Sequence, residues 1–264
     1  MKQIAKNLAY HFLGMKNSLV NRAVYNSTKY SGKIAVYNTS IGTHNLGDHI
    51  IMQYCERILE ELFPNGQRLE MSSHRIPSAE EESQLAPIKY RFVCGTNLLP
   101  STIEKWWNWR LPDGWKGKQK HGNSILFGVG WHEYEPNCTE YTTMIYRTVL
   151  NPCALHSVRD HYSEKKLRQA GFRNVINTGC PTTWALTPEF CRGIPTRKAN
   201  NVVTTITDYR RDPERDRQML EILCRNYEHV YVWLQGQRDY EYLDILMCPP
   251  GGAYSKEYLQ YRHT

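Results

Sequence analysis

Apolar positions along the chain alternate between short continuous runs and helical steps. Ile34-Ala35-Val36-Tyr37, preceded by Ser31-Gly32, is a run of the first kind and predicts a buried strand. Ile50, Ile51, Tyr54, Ile58, Leu59 and Leu62 recur at three- and four-residue steps and predict a helix. Further runs at 90–94, 124–129, 154–158 and 175–176 predict strands, with helical patterns at 143–150 and 163–170. In the last helix Ser163 reads as N-cap and Gly171 as C-cap. Residues 72–87 are polar and acidic and read as a loop with room for one short helix. Residues 187–200, rich in Pro, Arg and Gly, read as a linker. Strand, helix and strand follow at 201–207, 215–226 and 229–234. The fold class is α/β with a mostly parallel sheet. The expected organisation is an N-terminal amphipathic segment at 1–30, a first domain at 31–190 and a partial second domain at 191–264. Two strands are too few for a complete second domain, so this one is expected to be reduced or the chain shortened.

The N-terminal segment places Ile4, Leu8, Phe12, Met15 and Leu19 on one helical face, with Lys2, Lys6 and Lys16 nearby. Two readings stand. The helix lies on an anionic membrane, or it packs on the domain or on a partner subunit of a homo-oligomer. Packing is the expectation, because three lysines attract a membrane weakly.

Composition narrows the class. Of 264 residues 41% are hydrophobic and 22% charged, as in soluble globular proteins. The net charge of +7 suits anionic small molecules, lipid surfaces or nucleic acid, yet the cations are scattered and no basic-aromatic run of the nucleic-acid type occurs. The eight cysteines show neither C-x-x-C nor zinc-finger spacing, and are read as reduced, buried thiols of a cytoplasmic protein. No metal is expected. Lys6, His11 and Lys16 interrupt any signal-peptide core.

Candidate chemistry collects at strand ends. The turn after the first strand carries Gly42, Asn45 and Asp48, and later turns carry Gly95, Asn97, Gly130, Arg159 and Pro181. In an open α/β sheet such ends line one crevice, here expected to be shared with Gln235 and Arg238 of the second domain. Asn45 and Asp48 either line that crevice or cap the following helix. Arg159 either binds a phosphate or carboxylate in a bidentate way or pairs with Asp160 or Asp48. Four of the seven tryptophans fall within 106–115 and form either a sugar-stacking surface or a packed loop. No G-x-G-x-x-G, G-x-x-x-x-G-K-[ST], G-x-S-x-G or H-E-x-x-H occurs.

Gly42-Thr43-His44-Asn45-Leu46-Gly47-Asp48, Gly95-Thr96-Asn97-Leu98-Leu99, Gly128-Val129-Gly130-Trp131, Ser157-Val158-Arg159-Asp160-His161-Tyr162-Ser163 and Gly179-Cys180-Pro181 together resemble the polysaccharide pyruvyl transferase family. The resemblance covers residues 34–186 and, more loosely, 200–246. It implies two Rossmann-like domains arranged as in B-type glycosyltransferases. It also implies transfer of the pyruvyl group of phosphoenolpyruvate, as a ketal, to a sugar or lipid-linked glycan acceptor for the cell envelope. Phosphoenolpyruvate is then a donor substrate, and no cofactor is implied. By the resemblance Arg159 holds the donor's phosphate or carboxylate, and Asn45 and Asp48 lie at the acceptor side or shape the turn. His44, Asp48, His132 and His161 are the acid–base candidates. A cytoplasmic site, at the inner face of the membrane if the first helix touches it, is the matching location. The family's late R-x-H element has no copy here; Arg262 and His263 are adjacent instead. The alternatives are a nucleotide-sugar glycosyltransferase of similar fold and an inactive, shortened relative acting as an interaction protein.

Overall fold

The computed structural model describes residues 2–105, 107–247 and 259–260. The chain divides into two compact units, residues 1–43 with 48–186, and residues 44–47 with 187–264. Arg262 and His263 lie outside the described residues.

The first unit opens with helix α1 (Lys2–Ser27) and strand β1 (Lys33–Asn38), followed by α2 (Leu46–Leu62), β2 (Gln67–Ser72), α3 (Ala79–Leu85) and β3 (Tyr90–Cys94). Then come β4 (Asn97–Leu99), α4 (Gly114–Gln119), β5 (Ser124–Phe127), β6 (Gly130–Trp131), α5 (Glu140–Val149), β7 (His156–Val158), α6 (His161–Gln169) and β8 (Val175–Asn177). A parallel sheet runs in the order β2-β1-β3-β5. Val36 stands opposite Glu70 on one side and Phe92 on the other. Parallel bridges from Ser124 to Leu150 and from Val129 to Val158 continue toward the parallel pair β7-β8. The chain leaves β1 to one side for β2, then crosses back to the other side for β3. That reversal opens a crevice at the carboxyl ends of β1 and β3, the usual ligand position in such sheets.

Strand alternation sorts side chains onto two faces. Ile34, Val36, Phe92, Cys94 and Ile125 meet Met52, Cys55 and Leu59 of α2. Ala35, Tyr37, Val93 and Leu126 face the larger cluster with Met144, Ile145 and Val149 of α5. Each buried aliphatic side chain contributes about 1.5–3 kcal/mol, so these two layers hold the unit together.

Three sequence expectations are corrected and one open alternative is decided. Strand β2 (QRLEMS) is not among the expected strands, because its buried apolar residues are Leu69 and Met71 alone and they form no continuous run. The N-cap of α6 is Asp160, whose Oδ1 accepts the Ser163 N–H at 2.7 Å, while Ser163 Oγ accepts the Trp131 N–H instead. The tryptophan segment is core: Trp109 is fully buried with its ring 5.2 Å from that of Tyr37, and Trp107 packs on Trp109. Of the two readings of this segment, Trp107 and Trp109 follow the packed one; Trp106 lies outside the described residues. Among the described cysteines, Cys55 and Cys94 are buried but Cys153 and Cys191 are exposed.

Helix α1 packs on α5 by a mixed face that includes Tyr10 and Leu13. Asn17 Nδ2 donates to Thr148 Oγ1 at 2.9 Å and Asn21 Nδ2 to the Thr148 carbonyl at 2.8 Å. A Cβ on Gly14 would lie 3.2 Å from Met144 Cα, so glycine lets the helices approach. The expected apolar face points to solvent.

The second unit contains α7 (Pro188–Arg192), within the expected linker, then β9 (Asn201–Thr205), α8 (Pro213–Asn226), β10 (His229–Trp233), α9 (Gln237–Met247) and β11 (Leu259–Gln260). Its sheet is parallel, in the order β11-β10-β9, with one strand more than the two expected. Val230, Val232, Leu220, Tyr242, Leu243 and Leu246 form its core.

Candidate active site

Every strand of the first sheet points the same way, so all its carboxyl ends meet one edge. Two glycines open that edge. Gly95 has φ +60°, and a Cβ there would sit 2.0 Å from Ile51 Cγ2, so the early turns of α2 rest directly on the end of β3. Gly128 has φ +69°, and a Cβ would meet Pro181 Cγ at 2.4 Å. These left-handed residues interrupt β3 and β5 at the same height. Their continuations, β4 and β6, pair Asn97 with Gly130.

Arg159 follows β7 directly, and its N–H donates to the Val129 carbonyl at 3.1 Å. Its side chain is 30% exposed and lies along Gly130. A Cβ on Gly130 would be 2.4 Å from Asn97 Oδ1 and 2.7 Å from Arg159 Nε. Only glycine therefore allows this amide and guanidinium to converge. Asn97 Oδ1 is buried and finds no donor among the described residues, which marks unused acceptor capacity. Asp160 Oδ2 lies 3.8 Å from Arg159 Nε, a long contact, since the carboxylate is already engaged in capping α6. Of the two readings of Arg159, the pairing one is present but weak. No hydrogen bond from its guanidinium to a described residue is seen.

A second polar group occupies the ends of β1 and β2. Thr43 Oγ1 donates to Asp48 Oδ2 at 3.1 Å, and His74 Nε2 lies 3.9 Å from the same oxygen. His74 Nε2 is 3.0 Å from the Thr39 carbonyl, an acceptor only, which places the ring proton on Nε2. Its Nδ1 faces the Asn108 side chain at 3.3 Å. Asp48 is 6% exposed, so this carboxylate is a built part of the edge and not a solvated cap. His74 escaped the sequence reading because β2 did. It stands two residues past that strand, where the strand-end rule would have found it.

The other candidates are placed as follows. His132 is a third exposed, 3.8 Å from Glu133, and its backbone N–H donates to the Leu99 carbonyl. His161 opens α6 and is 90% exposed beside Glu164 at 3.5 Å. Pro181 is buried against Gly128 and shapes a turn. Gly42, at φ +83°, precedes Thr43 in the first unit.

His44 and Asn45 fall in the second unit, as do Gln235 and Arg238. Asn45 Oδ1 accepts the Gly47 N–H at 2.9 Å, the capping geometry, and the Leu46 N–H donates to the Gln235 carbonyl at 3.0 Å. Buried Asp239, unforeseen in the sequence, accepts the Gln235 and Gly236 N–H groups on one oxygen and that of Asp208 on the other. It fixes the turn after β10; Arg238 beside it is exposed. Thus Gly95, Asn97, Gly130, Arg159 and Asp48 share one edge, while His132 and His161 turn to neighbouring glutamates.

Among the described residues no group of three His, Cys, Asp or Glu side chains is arranged to hold a metal ion. Compared with curated proteins and with solved structures, the chain finds no match. The family model described as polysaccharide pyruvyl transferase matches residues 45–263, which include Asp48 and every strand-end residue from Gly95 to Arg238. The chain belongs to the polysaccharide pyruvyl transferase family.

Proposed function

We propose that the protein transfers the pyruvyl group of phosphoenolpyruvate, as a ketal, to a sugar of a cell-surface glycan or its precursor. The observation that carries this reading is the guanidinium of Arg159, held over Gly130 beside the unpartnered Asn97 Oδ1 at the carboxyl edge of the sheet. Phosphoenolpyruvate presents a carboxylate and a phosphate, and a planar guanidinium binds either with two parallel hydrogen bonds. The family match supplies the transferase class.

The chemistry sets what else the edge must do. Two sugar hydroxyls add to C2 of the enolpyruvyl unit and phosphate leaves. One hydroxyl proton ends on the methylene carbon, which becomes a methyl group, and the other departs with phosphate. A base must therefore face the sugar hydroxyl. In this reading Asp48, oriented by Thr43 and His74, is that base. The unit carrying β9 to β11 is the second Rossmann-like half of a glycosyltransferase-B arrangement, and the reaction is cytoplasmic.

Released phosphate, measured with phosphoenolpyruvate and a panel of glycosides, tests the proposal. Release is expected from the native protein and not from Arg159→Ala. Equal release from both overturns it. So does thermal protection by a sugar nucleotide without any by phosphoenolpyruvate.

A further inference from the structure

Helix α1 buries a mixed face, in which Tyr10 and Leu13 pack on the core beside Gly14, Asn17 and Asn21, and leaves its larger apolar stripe outside. Asn17 and Asn21 are spent on Thr148, and Gly14 lies against α5. The opposite face carries Ile4, Leu8, Phe12, Met15 and Leu19, each between 48% and 66% exposed. With a rise of about 1.5 Å per residue these five side chains form a stripe about 22 Å long. Isolated exposed apolar residues are ordinary, but a continuous stripe of this size marks a surface that meets something apolar.

Charge decides what that is. The helix KQIAKNLAYHFLGMKNSLVNRAVYNS holds Lys2, Lys6, Lys16 and Arg22 and no carboxylate. At about 3.6 residues per turn, Lys16 and Arg22 fall on opposite borders of the stripe. The acidic residues Glu104, Asp113 and Glu140 share a cavity with Lys6 and Asn7, away from the stripe. A second copy of this helix would offer the same cations and no carboxylate to pair with them. An anionic lipid surface offers both an apolar layer and negative charge. No described helix is long and apolar enough to cross a membrane, which leaves a helix lying in the interface.

We propose that α1 is a membrane-docking helix that seats the first unit on an anionic bilayer. Its amide face grips α5 and its apolar stripe enters the headgroup boundary. This goes beyond the transfer reaction and does not depend on it, since none of its residues belongs to the carboxyl edge.

Flotation of the full chain with vesicles tests it, comparing pure phosphatidylcholine with mixtures containing phosphatidylglycerol. Binding is expected to the anionic vesicles, to weaken with salt, and to fall about 100-fold or more in Leu8→Glu/Phe12→Glu. Both positions are exposed, so the variant keeps the native melting temperature. Lys16→Gln/Arg22→Gln is expected to lose about tenfold through charge alone. No binding to anionic vesicles overturns the proposal, as does equal binding to neutral ones. A concentration-dependent dimer that Leu8→Glu/Phe12→Glu abolishes, without vesicle binding, overturns it in favour of a second copy.

Discussion

The carboxyl edge of the first unit and the interior beneath it both hold polar side chains, but they treat them differently. In the interior, His156 is fully buried and fully used. Its Nδ1 accepts the Leu126 N–H and its Nε2 donates to the Asn151 carbonyl. His121, also buried, touches the Tyr37 hydroxyl at 2.6 Å through Nδ1 and Glu82 at 3.3 Å through Nε2. Arg91 spends its guanidinium on the carbonyls of Leu85, Ile88, Lys120 and Gly122. At the edge, among the described residues, Asn97 Oδ1 finds no donor and Arg159 makes a 3.8 Å contact with Asp160 as its one ion pair. The interior is not closed throughout, since Trp107 Nε1, Trp109 Nε1 and Asn123 Oδ1 also lack partners among the described residues; what sets the edge apart is an open oxygen beside a loosely paired guanidinium at a strand-end crevice. The comparison predicts that interior changes cost stability and edge changes cost activity.

The largest effect belongs to the interior and is a pH effect. Burial lowers the pKa of both His121 and His156 from 6.5 to about 4. In the unfolded chain each takes a proton near pH 6.5, while in the native fold each stays neutral down to about 4. The unfolded state thus binds more protons across this window, so stability is complete above pH 6.5 and falls as pH drops toward 4. Each histidine contributes about 3 kcal/mol to that loss. Urea midpoints measured between pH 7 and 4 should show it. In His156→Asn, where an amide oxygen can still accept the Leu126 N–H, about half of the pH slope should disappear. An unchanged slope would place the acid sensitivity elsewhere.

Next comes the edge. Arg159→Ala is expected to lower kcat/KM for phosphoenolpyruvate by about a thousandfold, near 4 kcal/mol. Its melting temperature should stay within a few degrees, because the side chain is partly exposed and loosely paired. A large loss of stability with retained turnover would make Arg159 an interior residue in disguise.

Gly95 and Gly130, two of the three edge glycines, separate the behaviours more finely. In Gly95→Ala the new methyl group would collide with Ile51, a packed core side chain, at φ +60°. A loss of stability of about 2–3 kcal/mol is expected. In Gly130→Ala the neighbours are the ends of the Asn97 and Arg159 side chains. They can move, so the fold should tolerate the change while kcat/KM falls about 10- to 100-fold through misplacement. Denaturation and kinetics on both variants decide it; the same response from both would remove the distinction between edge and core.

The interior was more legible in the sequence than the edge. Ile34 to Tyr37 and the three- and four-residue steps of α2 declare their burial directly, because apolar periodicity is set by the layer each side chain enters. Gly95, Asn97, Gly130 and Arg159 are legible as strand-end positions from the sequence pattern alone. The strand-end rule failed at His74, since edge strand β2 has only Leu69 and Met71 as buried apolar residues and shows no apolar run. It could not foresee that Asn97 and Arg159 converge over Gly130, which depends on β4 and β6 pairing across two left-handed breaks. Helix α1 defeated periodicity outright. Its apolar stripe was correctly seen, but two asparagines and a glycine, not the stripe, match the Thr148 face of α5.

Asp160 gives the smallest and most discriminating test, because it belongs to both regions. Its Oδ1 caps α6 through the Ser163 N–H, an interior duty, and its Oδ2 lies 3.8 Å from Arg159 Nε at the edge. Asp160→Asn keeps an oxygen for the cap, and asparagine caps helices about as well as aspartate, so the melting temperature should change by about a degree at most. The substitution removes the one carboxylate seen beside the guanidinium. A part-exposed pair of this length is worth about 0–1 kcal/mol. KM for phosphoenolpyruvate should therefore fall by up to about fivefold as a competing anion is withdrawn. If KM rises instead, Asp160 is orienting Arg159 for its ligand, and the carboxylate belongs to the site as more than a helix cap.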